Sequence, residues 1–416
     1  MFPIHIVCMR KKRETPLKKI VAVSVCFFII LSGSADKVTA QGAPTENELY
    51  AKAAVLMDGD SGRVLYEKNG KEALANASTT KILTCIIALE NCDADQIVEF
   101  SETASKAPKV HLGAKCGSRF WMKDLLYAMM LESYNDCAVA IAEQIAGTVE
   151  NFSSVMNSYA EKIGCKDTLF LTPNGLDAQN ENEFHHTTAE DLALIMRYCI
   201  KESQKAEAFL KITGEKEYYF TDIEGKHRYD CYNHNAFLQM MDGAISGKTG
   251  FTGNAGYCYV GALEKDGRTY IVALLACGWP NNRSYKWSDT KKLMQYGMDN
   301  YRRMELDEIA LAEGKTEAVP VENAQGDHIG EKVKARLLCV KIYDTKSVLL
   351  KEGEQIKVEY HVAKRLTAPV KKGTIAGEIS LKAGNVEVRK YRLITEKAIP
   401  EIDFVWCIRK VAGQMF

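Results

Sequence analysis

The sequence predicts an α+β fold, an antiparallel sheet flanked by helices, followed by a small all-β domain. Two apolar hairpins, at residues 53–69 and 254–277, bracket a long middle region. Inside that region, residues 121–147 and 187–202 carry apolar side chains at helical spacing. After Leu306 the texture changes to short alternating strands separated by Gly-, Pro- and Lys-rich turns.

The chain has 416 residues. Its first 40 read as a secretory leader outside the fold. Arg10, Lys11, Lys12, Arg13, Lys18 and Lys19 form a basic region, an apolar run follows from Ile20 to Leu31, and Val38-Thr39-Ala40 offers a small-residue cleavage site before Gln41. The apolar run is well short of the ~20 residues a spanning helix needs, and an uncleaved anchor is the alternative. The whole chain is formally neutral. The leader is basic, so its removal leaves a slightly acidic protein, which excludes a nucleic-acid partner of the basic-patch kind. Of the thirteen cysteines, Cys85, Cys137, Cys199, Cys258 and Cys277 sit in apolar runs where a thiol acts as a small hydrophobe. No C-x-x-C spacing suggests zinc, and the cysteines read as mostly free and structural.

The stretch "AAVLMDGDSGRVLYEKN" (53–69) alternates around a Gly-Asp-Ser-Gly turn and predicts a hairpin. Next, "NASTTKILTC" (76–85) opens a helix whose Ile82, Leu83, Ile86, Ile87 and Leu89 make it apolar around most of its girth, so it belongs in a core. Residues 254–277 form the second hairpin, turning at Lys265-Asp266-Gly267, and an amphipathic segment spans 285–303. In the C-terminal part, "VKARLLCVKIY", "SVLL", "IKVEYHV" and "VEVRKYRLI" read as strands, with Ile356, Val358, Tyr360 and Val362 on one face. The expected division is a leader at 1–40, a catalytic domain at 41–305, an all-β domain at 306–400 and a tail at 401–416.

Ser78 and Lys81 stand one helical turn apart, on the same side of the helix. Ser78 reads equally as a helix cap, and Ser-x-x-Lys recurs at Ser34–Lys37 and Ser288–Lys291. Two further motifs lie downstream. Ser133-Tyr134-Asn135 sits at a loop-to-helix junction, and Lys248-Thr249-Gly250 lies on a strand leading into the second hairpin. S-x-x-K, S-x-N and K-T-G in that order form the signature of penicillin-recognising serine enzymes. A serine hydroxyl needs a neighbouring base, and Lys81 can serve if burial, the like charge of Lys248 and the positive helix terminus lower its pKa. Ser133 would relay a proton to the leaving amine, and Asn135 would orient Lys81 and the substrate. Glycines 247, 250 and 253 would let the strand approach closely.

Those motifs, with "ANASTTKILT", "TPNGLDAQNENEFHHTTAEDLALIMRY", "GKTGFTGNAGY" and "LTAPVKKGTIAGEI", resemble the low-molecular-weight D-alanyl-D-alanine carboxypeptidases over roughly residues 45–395. The resemblance implies a β-lactamase/DD-peptidase-like fold and removal of the terminal D-alanine from peptidoglycan stem pentapeptides through an acyl-enzyme on Ser78, with β-lactams as inhibitors. It implies an oxyanion hole from the backbone N–H groups of Ser78 and Phe251. Lys248 and Thr249 would hold the substrate carboxylate, with Arg283 as the nearest candidate for the family's further arginine. No cofactor and no metal are implied. Phe251 stands where the family often has histidine, and His234 where relatives carry another polar or basic residue; a solvated loop histidine is the reading adopted for it. The tail places Phe404, Ile408, Val411 and Met415 on one stripe, and relatives commonly end in a helix lying on the membrane surface. A cell-envelope location follows.

A class A β-lactamase shares all three motifs and adds a glutamate some three dozen residues after S-x-N. Residues 162–180 contain no glutamate. A transpeptidase or endopeptidase of the same fold stays open, since acceptor choice lies in groove shape.

Overall fold

The protein is described by a computed structural model over residues 42–309, 317–342 and 345–413. The expected leader at 1–40 and Met415 lie outside the described residues. A five-stranded antiparallel sheet runs in the order Val64–Lys68, Ala53–Asp58, Arg268–Leu275, Gly256–Lys265, Ala244–Thr252. Strand Ala53–Asp58 is buried along its whole length, because both faces of the sheet are covered. On one face pack the helices Lys81–Asn91, Met122–Leu131, Asn135–Ala146 and Ala189–Arg197, around Ile82, Ile86, Leu125, Ile141 and Leu192. On the other lies helix Tyr285–Asn300, through Leu293, Met294 and Tyr296.

The helical run expected over 121–147 is two helices. The first stops at Leu131, and Ser133 takes φ +66°, a left-handed conformation that ends a helix. The segment expected to continue to 303 stops at Asn300, whose side-chain amide bonds back to Tyr296 O. Tyr301–Glu305 is instead a strand pairing with Ser347–Lys351 of the C-terminal region.

That C-terminal region contains a six-stranded sheet ordered Ile356–Val362, Ile375–Ala383, Val386–Thr395, Lys334–Lys341, Ala318–Glu322, Leu366–Thr367. Ile356, Val358, Tyr360 and Val362 pack against its core of Leu381, Ile379 and Leu393, as their alternation predicts. The seam between the two regions is polar as well as apolar. Asp58 accepts the N–H of Leu349 at 2.9 Å, and Arg63 donates to Leu349 O at 3.0 Å and pairs with Glu354 at 2.5 Å. The eleven cysteines among the described residues are all free thiols.

Candidate active site

Ser78 lies in the 3-10 turn Ala77–Thr80, which runs straight into helix Lys81–Asn91. Ala77 just before it holds φ +49°, a conformation that costs a non-glycine residue about 1–3 kcal/mol and must be held by its surroundings. Gly175 holds it from behind. At φ +79°, a Cβ on Gly175 would fall inside the carbonyl oxygen of Ala77, so only glycine fits there. Asn76 ties the turn from within, its Nδ2 donating to Thr79 Oγ1 at 3.1 Å and Thr80 Oγ1 at 2.9 Å.

His185 adds a second tie. Its Nδ1 accepts the N–H groups of Leu171 (3.0 Å) and Thr172 (3.3 Å), so Nε2 carries the proton and donates to Thr80 Oγ1 at 2.9 Å. Burial, and then His186 beside it, push its pKa down to about 3, which keeps the ring neutral.

Lys81 is fully buried, with Nζ 2.8 Å from Ser78 Oγ, 2.8 Å from Asn135 Oδ1 and 2.7 Å from Asn174 O. Burial first, and the Lys248 charge second, hold its pKa well below the ordinary lysine value. A neutral amine has two N–H donors and one lone pair. The two carbonyl oxygens can only accept, so they take both N–H groups and leave the lone pair facing the Ser78 hydroxyl. A base acting on a serine hydroxyl needs that arrangement.

Asn135 begins helix Asn135–Ala146 and is itself fixed, its Nδ2 donating to Pro108 O at 3.1 Å and its N–H to Val110 O at 2.8 Å. Two residues earlier, Ser133 Oγ accepts from Lys248 Nζ at 3.0 Å, and Lys248 also donates to Thr249 O at 3.0 Å. Burial lowers the Lys248 pKa to about 7. The strand that carries Lys248, Thr249, Gly250 and Phe251 is an edge of the five-stranded sheet, so its outer N–H and C=O groups have no strand partner. It lies against the nucleophile turn at Gly250, where a Cβ would meet Ser78 N at 2.9 Å and Ala77 Cβ at 3.0 Å. The expectation for Gly253 fails, since a Cβ there would meet nothing within 4 Å.

Ser78, Lys81 and Asn135 thus form one hydrogen-bonded group and Ser133 and Lys248 a second, two residues from Asn135 along the chain, with Thr249, Gly250 and Phe251 on the edge strand. Phe251 is 43 % exposed and leans on Tyr257. Arg283 is exposed, and its guanidinium makes no hydrogen bond or ion pair among the described residues. Its carbonyl accepts from Lys286, a buried cation set over the rings of Tyr257 and Trp287 at 4.7 and 4.8 Å. Burial lowers the Lys286 pKa. His234 has the exposed ring expected of a loop histidine, yet its Nε2 lies 2.8 Å from the carboxylate of Glu132, next to Ser133. The sequence reading missed Asn174, His185 and Glu132. Asn174 stands in a Thr-Pro-Asn-Gly turn signal, which marks the loop but not its contact with Lys81. A cleft of about 540 Å³ opens between Glu102, Lys106, Pro108, Val139 and Asn174.

Comparison with known proteins matches residues 37–277 to the family model described as D-alanyl-D-alanine carboxypeptidase. The chain belongs to that family. Residues 340–401 also match the penicillin-binding protein 5 C-terminal domain. Among relatives, D-alanyl-D-alanine carboxypeptidase DacF of Bacillus subtilis is 27% identical over 95% of this chain and 98% of its own. DacC of Escherichia coli is 30% identical over 86% of each. The solved structure of penicillin binding protein 5 from Haemophilus influenzae superposes with a TM-score of 0.66 at 25% identity, over 87% of this chain and all of its own. Family membership and that likeness bear out the expected fold class, including its β-rich C-terminal domain. The loop at 162–180 meets Lys81 through the backbone carbonyl of Asn174 and carries no glutamate to activate a deacylating water.

Proposed function

We propose that this protein is a serine-type D-Ala-D-Ala carboxypeptidase that removes the terminal D-alanine of peptidoglycan stem peptides through an ester on Ser78. The observation that carries the reading is the geometry at Lys81, whose Nζ lies within 2.8 Å of Ser78 Oγ, Asn135 Oδ1 and Asn174 O, so that in the neutral form the two carbonyls take both N–H groups and the lone pair faces Ser78 Oγ. Ser78 Oγ attacks the penultimate D-alanine carbonyl while Lys81 Nζ takes its proton. The oxyanion sits between the N–H groups of Ser78 and Phe251, which the close strand approach at Gly250 supports. The C–N bond then breaks as Ser133, hydrogen-bonded to Lys248, hands its proton to the leaving amine and takes in its place the proton that Lys81 removed from Ser78, which leaves Lys81 neutral for the attack of water. Lys248 and Thr249 hold the D-alanine carboxylate, and Arg283, exposed and with no guanidinium partner among the described residues, swings onto it. Water then opens the ester. A β-lactam would acylate Ser78 by the same attack, but its ring-opened amine stays tethered. A relative, penicillin-binding protein D2 of Listeria monocytogenes, was solved in an ampicillin-bound form.

Purified protein covering residues 41–416 is expected to release D-alanine from a peptide ending in D-Ala-D-Ala and to hydrolyse nitrocefin only slowly. Fast, repeated nitrocefin turnover with no long-lived adduct would favour the β-lactamase reading. D-alanine release accompanied by cross-linked peptide, the acyl group passing to an added amine acceptor in place of water, would favour the transpeptidase.

The chemistry falls in 41–305, with 306–400 as an all-β support, and the protein works outside the cytoplasm at the cell envelope. None of the helices among the described residues is long and apolar enough to cross a membrane. The tail helix Phe404–Ala412 supports a peripheral contact. Phe404, Val405, Ile408 and Val411 are 78, 54, 52 and 49 % exposed, and Arg409 and Lys410 lie in its last turn. Deleting 404–416 is expected to leave D-alanine release intact and to lower sedimentation with anionic vesicles, most visibly at low salt. Equal vesicle binding by the truncated and full chains would remove the membrane role from the tail.

A further inference from the structure

We infer that Glu132 and His234 form a clasp that holds Ser133 in register with Lys248, which makes Glu132 a positioning residue for acylation. The inference rests on the proton-relay role proposed for Ser133. Ser133 keeps φ +66° although it carries a side chain, and such a conformation persists only where neighbours over-determine it. On its C-terminal side the restraint is Asn135, bonded through its N–H and Nδ2 to Val110 and Pro108. On its N-terminal side the restraint is Glu132, which touches none of the groups assigned to the chemistry.

Both oxygens of the Glu132 carboxylate, 14 % exposed, are used. Oε1 accepts the N–H of Tyr232 at 2.7 Å, and Oε2 faces His234 Nε2 at 2.8 Å. The loop it grips is anchored in turn. Asn233 donates to Thr213 O at 2.9 Å and Glu215 O at 2.7 Å, and Asn235 Oδ1 accepts the Tyr259 hydroxyl at 2.9 Å. Tyr259 pairs with Thr249, the residue after Lys248. A closed circuit therefore runs from Ser133 to Lys248, across the strand pair to Tyr259, then through Asn235 and His234 to Glu132 and back. A carboxylate accepting from a backbone N–H is among the stronger and better directed hydrogen bonds. Misplacing a reacting group by about 1 Å is enough to cost about 10²-fold in rate.

The test is a double-mutant cycle read by the rate of benzylpenicillin acylation at Ser78 and by kcat and KM for D-alanine release. Glu132→Ala is expected to lower the acylation rate and kcat ten- to a hundredfold with KM within about twofold, and Glu132→Gln, which keeps an acceptor for Tyr232, to recover to within about threefold. His234→Ala, at an exposed ring, is expected to fold normally and lose three- to tenfold; it reads the clasp if Glu132→Ala does not fold. In a Ser133→Ala background the loss from either clasp variant should vanish, because the clasp acts only through Ser133. Multiplicative losses, or clasp variants with unchanged kcat, overturn the inference while leaving the carboxypeptidase reading intact. Ser133→Ala at the wild-type rate would instead overturn the relay role itself, and the clasp with it.

Discussion

Ser78→Ala is expected to abolish both the penicillin adduct and D-alanine release, a fall of at least about 10⁴-fold, because no other group in the cluster can form the acyl bond. Lys81 and Lys248 are amines held 2.8 and 3.0 Å from hydroxyls. Ser133 sits on Lys248, not on Lys81, and a bound substrate carboxylate keeps Lys248 protonated, so Ser133 has no base when substrate is in place. The substitution should leave the fold standing. Ser78 is only partly buried, and the turn around it is tied by Asn76, Gly175 and His185 rather than by its own hydroxyl. Intact-protein mass spectrometry after benzylpenicillin, followed by peptide mapping, decides the assignment. An adduct at Ser133 or Ser288, or one surviving in the alanine variant, would move the nucleophile elsewhere.

The motifs were legible because each has a local physical signature. Ser78 and Lys81 share a helix face, and the glycine of K-T-G marks the close approach later found at Ser78 N. What tunes those residues was not legible. The oxygen that completes the surroundings of Lys81 is a backbone carbonyl 93 residues away, and a carbonyl leaves no mark in residue type. His185 reaches Thr80 across 105 residues and reads in the sequence as one of two adjacent loop histidines. The break at Ser133 was implied by reading Ser133-Tyr134-Asn135 as a loop-to-helix junction, although the apolar periodicity continues on both sides of it. Helix Val149–Ile163 was omitted although Thr148 caps it at Asn151 N and Gly164 ends it in a left-handed conformation, signals a closer look at capping would have used. Hairpin Glu217–Tyr232 and strand Tyr301–Glu305 were missed because they are polar or gain their pairing from distant chain.

Lys81→Met is expected to lower acylation by about 10³-fold or more, the contribution of a positioned base to a serine nucleophile. Methionine matches the lysine stem but has no lone pair to take the Ser78 proton. It also leaves Asn135 Oδ1 and Asn174 O without their donor, at about 1–3 kcal/mol each, so a lower unfolding temperature is expected alongside. The wild-type pH profile separates the base from that structural cost. Lys81 works only when neutral, and burial holds its pKa well below the ordinary lysine value. Activity therefore falls as pH drops through that lowered pKa, when the amine is protonated. Lys248 acts in the opposite sense. Its positive form holds the substrate carboxylate, and its pKa of about 7 in the free enzyme means that the charge is lost as pH rises through that value. The expected kcat/KM profile is a bell whose alkaline limb appears mainly in KM, because bound carboxylate favours the protonated lysine. A Lys81→Met variant within tenfold of wild type would show that Lys81 is not the base, and a kcat/KM profile that keeps rising well above pH 7 with KM unchanged would show that Lys248 does not hold the carboxylate.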